Sequence, residues 1–198
     1  IIILDLAGNT LSIESGFAIE VFGELTINDS KGDGEISTGA GVAIITRNGS
    51  ETEINGGLYS SGGTLNSYSR ALEVQGDTVI TAGSFITKVA RGAGTNFVNA
   101  IRVNGDEDEV YQPTLTINPA KDSDVVVSAA QDYALSVRYG ATLNIHGGTI
   151  SGGKDFQDIY NLDFPDGGTI SVTGGDFAFE VPSEYIASGY VCVPSEDR

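Results

Sequence analysis

The chain has no methionine, no tryptophan, one cysteine, one histidine, and ten lysines and arginines set against 27 aspartates and glutamates. The lone Cys192 excludes an internal disulfide, so no disulfide framework holds the fold. The shortage of cations leaves a formal net charge of −17 and a pI near 4.1. Nucleic acid and anionic membrane surfaces are thereby excluded as partners, because binding phosphates takes clusters of Lys and Arg. No apolar run approaches the roughly 20 residues that span a bilayer, which argues against membrane insertion. The chain opens without Met on Ile1-Ile2-Ile3-Leu4-Asp5-Leu6, a buried-strand pattern. It therefore reads as a processed or trimmed piece of a longer protein, and any export signal would have been lost with the upstream part.

What is present is a core and a repeat. The apolar share of 40% argues against disorder, and 198 residues suit one domain or one segment of a longer chain. One phrase, Ala-apolar-x-Val, recurs at Ala18-Ile19-Glu20-Val21, Ala71-Leu72-Glu73-Val74, Ala100-Ile101-Arg102-Val103 and Ala134-Leu135-Ser136-Val137. Ala43-Ile44-Ile45-Thr46 and Ile159-Tyr160-Asn161-Leu162 are looser copies. A turn residue follows, and then a second strand such as Leu25-Thr26-Ile27-Asn28, Leu115-Thr116-Ile117-Asn118, Leu143-Asn144-Ile145-His146 or Ile170-Ser171-Val172-Thr173. Thr52-Glu53-Ile54-Asn55 and Thr78-Val79-Ile80-Thr81 are weaker copies of it. A glycine pair often comes next (Gly56-Gly57, Gly147-Gly148, Gly174-Gly175), followed by a third short strand.

The last residue of the second strand falls at 28, 55, 81, 118, 146 and 173, giving steps of 27, 26, 37, 28 and 27. Apolar and polar residues alternate with period two, the mark of a strand with one buried face. No stretch carries a helical stripe. Short strands repeated at this period describe a parallel β-helix, whose coils bury their apolar faces only by stacking. The expected fold is all-β, a right-handed single-stranded parallel β-helix of about six coils, the hand following from the preferred sense of parallel crossovers. One domain covers residues 1–198, with a partial coil at 1–16, full coils over 17–179 and a cap segment at 180–198. Ile19, Leu72, Ile101 and Leu135 should stack inside, as should Val21, Val74, Val103 and Val137. Tyr59, Phe85, Ile150 and Phe177 should form a bulkier inner column. Glu24/Thr26, Glu51/Glu53, Thr114/Thr116, Thr142/Asn144 and Thr169/Ser171 should face outward.

Three segments carry a resemblance: Leu4–Leu11, Leu25–Ile36 and Ile145–Gly153, the last reading Ile-His-Gly-Gly-Thr-Ile-Ser-Gly-Gly. They resemble the Gly-Gly-Thr β-helix repeats of large surface proteins from Gram-positive gut bacteria. Val181–Tyr190 resembles the segment that often closes such arrays. The resemblance covers nearly the whole chain. It implies a β-helix with an extracellular or cell-surface location, an adhesive or spacer role, and a carbohydrate or host-surface ligand. Similar coils occur in phage spikes and in pectate-lyase-like enzymes, so a spike segment and a carbohydrate-active enzyme stay open, since fold does not fix function.

Several constellations bear on chemistry. Asp29-Ser30-Lys31-Gly32-Asp33-Gly34 suggests a calcium loop, but an EF-hand needs ligands where Lys31 and Ala40 stand, so a glycine-rich corner is the better reading. Asp106, Glu107, Asp108 and Glu109 form the densest charge run and sit in the insertion of the 37-residue coil. They are the candidate metal ligands, since hard divalent cations take oxygen; a solvated, projecting loop tip is the plainer reading. Glu51 with Glu53, and Glu20 with Glu73 on adjacent coils, are carboxylate pairs of the kind a glycosidase uses, though a chain so acidic makes such pairs by chance. A lyase would need a basic proton abstractor beside a charge-neutralising group, and Arg102 with Arg138 on neighbouring coils is the one basic pair to inspect. His146 occupies the slot held by Asn28, Asn55 and Asn118, which suits a corner residue better than a catalytic base. Cys192, in the alternating Tyr190-Val191-Cys192-Val193, reads as a small buried hydrophobe. The outward Thr pairs suggest a flat polymer-binding array, which Glu24, Glu51, Glu53 and Asp77 interrupt. No residue is assigned a catalytic or cofactor-binding role, no cofactor is expected, and the chain is read as non-catalytic.

Overall fold

A computed structural model describes residues 1–62, 69–88, 98–108, 110–153, 158–162 and 167–193. It is a parallel β-solenoid of about six turns. The opening partial coil has β1 (Ile2–Asp5) and β2 (Thr10–Ile13). The next has β3 (Gly16–Val21), β4 (Glu24–Asn28) and β5 (Glu35–Thr38). Then follow β6 (Gly41–Thr46) with β7 (Glu51–Ser61), and β8 (Arg70–Val74) with β9 (Asp77–Thr87). The inserted coil has β10 (Ile101–Asn104), β11 (Thr114–Ile117) and β12 (Val125–Ala129). β13 (Leu135–Arg138) with β14 (Thr142–Ser151), and β15 (Ile159–Leu162) with β16 (Thr169–Phe177), complete the stack. Among the described residues the only helical element is a 3-10 turn at Ser183–Tyr185.

The first strand of each coil builds a six-stranded sheet in the order β15-β13-β10-β8-β6-β3. The second and third strands share a ten-stranded sheet. All pairings are parallel, and the repeat phrases fall in register: Ile19, Ile44, Leu72, Ile101, Leu135 and Ile159 lie opposite one another in turn. Ile44, Leu72, Ile101 and Leu135 are fully buried, each such side chain contributing roughly 1.5 to 3 kcal/mol. Ile19, in the terminal strand, is only half-buried, because nothing among the described residues pairs with β3 on its far side.

Two features depart from a uniform three-strand coil. In four coils the second and third strands run together as one bent strand of 9 to 11 residues. The bend sits at the glycine pair, or at Ala82-Gly83 in β9, where the register shifts but the ladder continues. Gly83 holds φ at +124°, and a Cβ there would come within 3.0 Å of the Gly57 carbonyl oxygen in the coil before it. Only glycine accommodates both demands. The second departure lies inside, where Thr52 and Thr78 take the place of Leu25 and Leu115. Thr78 donates to the Gly76 carbonyl at 3.1 Å, and the Thr46 hydroxyl accepts from the Gln75 and Gly76 N–H groups at 3.2 and 3.1 Å. The Thr78 and Thr46 hydroxyls thus serve the corner backbone, which explains the weaker apolar copy at 78–81.

Candidate functional site

Alternate side chains of parallel strands point the same way, so the outer face of the six-stranded sheet is a set of columns. One column runs Glu20, Ile45, Glu73, Arg102, Ser136, Tyr160. All four arginines among the described residues (Arg47, Arg70, Arg102 and Arg138) lie on or beside this sheet. In a chain of net charge −17 the described arginines thus gather at one sheet, whereas Lys31, Lys88 and Lys121 lie beside strands of the other.

Arg47 and Arg138 are held by neighbouring coils, and Arg70 and Arg102 by partners three residues away in their own coil. Arg47 forms an ion pair with Glu20 and donates from Nη1 to the Gln75 Oε1 at 3.1 Å. Gln75 donates to Glu73 Oε1 at 3.2 Å, and Arg70 pairs with Glu73 Oε2 at 2.9 Å. Further along, Arg102 Nη2 donates to Asn99 Oδ1 at 3.3 Å, and the Ser136 hydroxyl donates to the same oxygen at 2.7 Å. Arg138 donates to the Asn104 side-chain oxygen and lies 4.4 Å from the centroid of the Tyr139 ring. Tyr139 in turn donates to Glu107, a bond that pushes its phenol above the ordinary value. Arg102 is the most perturbed: burial, with the nearby Arg70 cation second, lowers its guanidinium to about 9.

The two arginines singled out from the repeat are therefore on neighbouring strands but not opposite each other. Arg102 faces Ser136 and is buried, whereas Arg138 faces Asn104 and is half-exposed. The Glu20–Glu73 pair needs correction. The two share a column, but Ile45 of β6 stands between them, so they are not on adjacent coils. Each is also committed to an arginine, Glu20 to Arg47 and Glu73 to Arg70. Glu51 and Glu53 both point outward into solvent on β7, with Glu51 between Glu24 and Asp77.

No family model, curated protein or solved structure matches this chain. Asp106, Glu107 and Asp108 lie in the loop after β10, with Glu107 and Asp108 exposed, and Glu109 lies outside the described residues. Among the described residues no three acidic, His or Cys side chains gather as a metal-holding group. His146 is exposed at the corner of β14, its Nδ1 2.7 Å from the Thr173 hydroxyl. Cys192 is exposed rather than buried. Its alternating segment belongs to no described strand, and Val191 and Val193 beside it face solvent. The segment borders a groove of about 440 Å3 at the C-terminal end, walled by Phe177, Phe179, Val181 and Tyr190.

The residue class that sequence reasoning missed is the carboxylate that ties backbone to backbone. Asp29 accepts the Gly8 and Gly34 N–H groups at 3.0 and 2.7 Å. Asp132 accepts those of Val98 and Tyr133, and Asp158 those of Gly152 and Phe179. Asp77 accepts that of Thr114 in the next coil. Each stands at or beside a corner where the strand ladder is interrupted and amides need acceptors, a position the turn residues could have revealed. Among the described residues no helix is long and apolar enough to cross a membrane.

Proposed function

We propose that this chain is a non-catalytic solenoid module of an extracellular bacterial surface protein, acting as a spacer that carries an adhesive face. One observation carries the reading: among the described residues, corner carboxylates and Arg47 are engaged in joining coils. Asp29, Asp77, Asp132 and Asp158 accept backbone amides across corners, and Arg47 ties Glu20 to Gln75. Groups spent on scaffold contacts favour a rigid, extended surface over a reacting centre, and such a surface suits a carbohydrate or host-surface ligand bound along a strand face.

A second reading, an enzyme acting on uronic-acid polymers, draws on Arg102. A guanidinium lowered to about 9 is closer to a working base than an ordinary arginine, and the half-exposed Arg138 on the neighbouring strand suits a carboxylate-bearing substrate. One experiment separates the two. The purified chain is incubated with polyuronates and neutral glycans while binding and bond cleavage are followed together. The spacer reading expects retention of a glycan, or none, with no cleavage. Cleavage that Arg102→Gln abolishes, with the fold intact by circular dichroism, would replace it with the enzyme.

A further inference from the structure

Arg138 stands apart from the other arginines of the six-stranded sheet. Arg47 and Arg70 each pair with a glutamate. Arg138 has no carboxylate partner among the described residues, in a chain with 27 acids. Its Nε is spent on the Asn104 side-chain oxygen of the neighbouring strand, and its guanidinium lies 4.4 Å from the centroid of the Tyr139 ring. The Nη groups of Arg138 and the side-chain NH2 of Asn104 meet no acceptor among the described residues. Both side chains are half-buried and held against each other. A fixed guanidinium edge of this kind is what recognises a planar carboxylate.

The surroundings hold that edge in place through strain. Tyr139 adopts φ +53° and Gly140 φ +67°, and the Ala141 N–H donates to the Arg138 carbonyl at 3.3 Å. A tight turn with both central residues at positive φ ordinarily takes Asn-Gly, and a bulky side chain there is an outlier. Such outliers persist where neighbouring contacts over-determine them, and they gather at ligand sites. Here the contacts are the Arg138 guanidinium at the ring and the Glu107 carboxylate on the hydroxyl. Arg102, on the adjoining strand and in the next outward column, carries a second positive charge that Arg138 repels. A bound anion offsets that repulsion.

We infer that Arg138 and Asn104 form a binding site for a single carboxylate borne on a sugar, a uronic-acid unit set among neutral sugars. The inference rests on the adhesive, non-catalytic reading above and gives the adhesive face a ligand class. The Nη pair supplies two parallel donors to the carboxylate, and the Asn104 NH2 is a third donor for a neighbouring sugar oxygen. A polyanion is disfavoured. The chain carries −17 and Glu107 stands beside the site, so each further negative charge on a ligand is repelled. A doubly charged phosphate ester meets the same repulsion. An acidic peptide has no strand edge to extend, because β10 and β13 are each paired along both edges.

The test titrates the full chain with glucuronate and with a neutral oligosaccharide ending in one glucuronate. The Arg138 Nε–H and Asn104 side-chain amide resonances are followed by NMR. Both ligands should shift these signals, whereas glucose and the methyl ester of glucuronate should not. Arg138→Gln and Arg138→Lys should each weaken binding by about tenfold or more, the lysine because it lacks the planar fork. Glu107→Gln keeps an acceptor for Tyr139 and removes the like charge, so it should tighten binding severalfold. Should the Arg138 variants fold poorly, the comparison of acid with ester on the unaltered chain still decides. Equal binding of acid and ester, or binding that folded Arg138→Lys leaves unchanged, overturns the inference and leaves a neutral glycan as the ligand of the adhesive face. Binding of no saccharide at all overturns the inference together with the carbohydrate-adhesion reading.

Discussion

The rings of Tyr59 and Phe85 stack inside neighbouring coils, their centroids 4.8 Å apart and their planes 13° from parallel. The coil spacing and the stacking distance of two aromatic rings thus coincide. Tyr59 also donates from its hydroxyl to the Gly56 carbonyl at 2.6 Å, so one side chain joins the inner column to the glycine bend.

Phe85→Ala removes a fully buried ring from a stack with little room to collapse. The expected loss is about 3 to 5 kcal/mol, read from the urea midpoint at constant slope. Leu135→Ala, in the aliphatic column, should lose about 2 to 5 kcal/mol by the same measurement.

Tyr59 sets the alkaline limit. Burial, with the Asp29 carboxylate second, pushes its phenol above the usual value near 10. A folded value above the unfolded one means that the folded chain keeps a proton the unfolded chain releases. The associated stability is full below pH ~10 and is lost as pH rises from there toward the folded value. Tyr59→Phe should lower stability at pH 7 by about 1 kcal/mol, for the missing hydrogen bond, and flatten the fall above pH ~10. Denaturation midpoints between neutral and alkaline pH check both.

Asp29 works in the opposite sense. Partial burial pushes its carboxyl up, but the N–H groups of Gly34, Gly8, Gly32 and Lys31 outweigh that and hold it below the ordinary range. Its contribution is present above the unfolded value near 3.9 and is lost as pH falls through the lower folded value. Asp29→Asn should cost about 1 kcal/mol at pH 7, since solvent screens this half-exposed group, and should soften the acid limb of the stability profile.

Gly41→Ala tests the corners. Gly41 sits at φ +133°, and a Cβ there would press into the Gly16 carbonyl of the coil below. Backbone strain alone is about 1 to 3 kcal/mol, and the clash adds to it. A midpoint equal to that of the unaltered chain would show that the two coils can separate freely at this point.

Much of the fold was legible because period-two alternation and a fixed phrase state the same register twice. Ala71-Leu72-Glu73-Val74 and Ala134-Leu135-Ser136-Val137 point to columns that the solenoid contains. The misplacement of Glu20 beside Glu73 has a local cause. Ala43-Ile44-Ile45-Thr46 puts an apolar residue at the outward place, and Ile45 is itself nearly fully buried, so the intervening coil was hard to recognise as a full partner. The glycine pairs read as turns, whereas positive φ lets them bend a strand that goes on pairing. Arg70 was invisible for another reason. It lies just before the repeated phrase, where other coils carry Phe17 or Val42, and burial of an outward side chain is not encoded in alternation. Cys192 shows the reverse, an alternating pattern with no neighbouring strand to give it an inside.

The outer columns of the ten-stranded sheet change character along the stack. Glu24, Glu51 and Asp77 stand in one file, with Glu53 beside it, whereas Thr114, Thr142 and Thr169 continue the file and Thr116, Asn144 and Ser171 flank it. Negative charge on this face is therefore crowded toward one pole of the rod and absent from these columns near the other. Beside a negatively charged layer these columns are repelled more strongly at the carboxylate pole than at the hydroxyl pole, so this face favours one heading within about 8 Å of the layer at physiological salt. Orientation would then respond to ionic strength, with the rod turning freely once the field is screened.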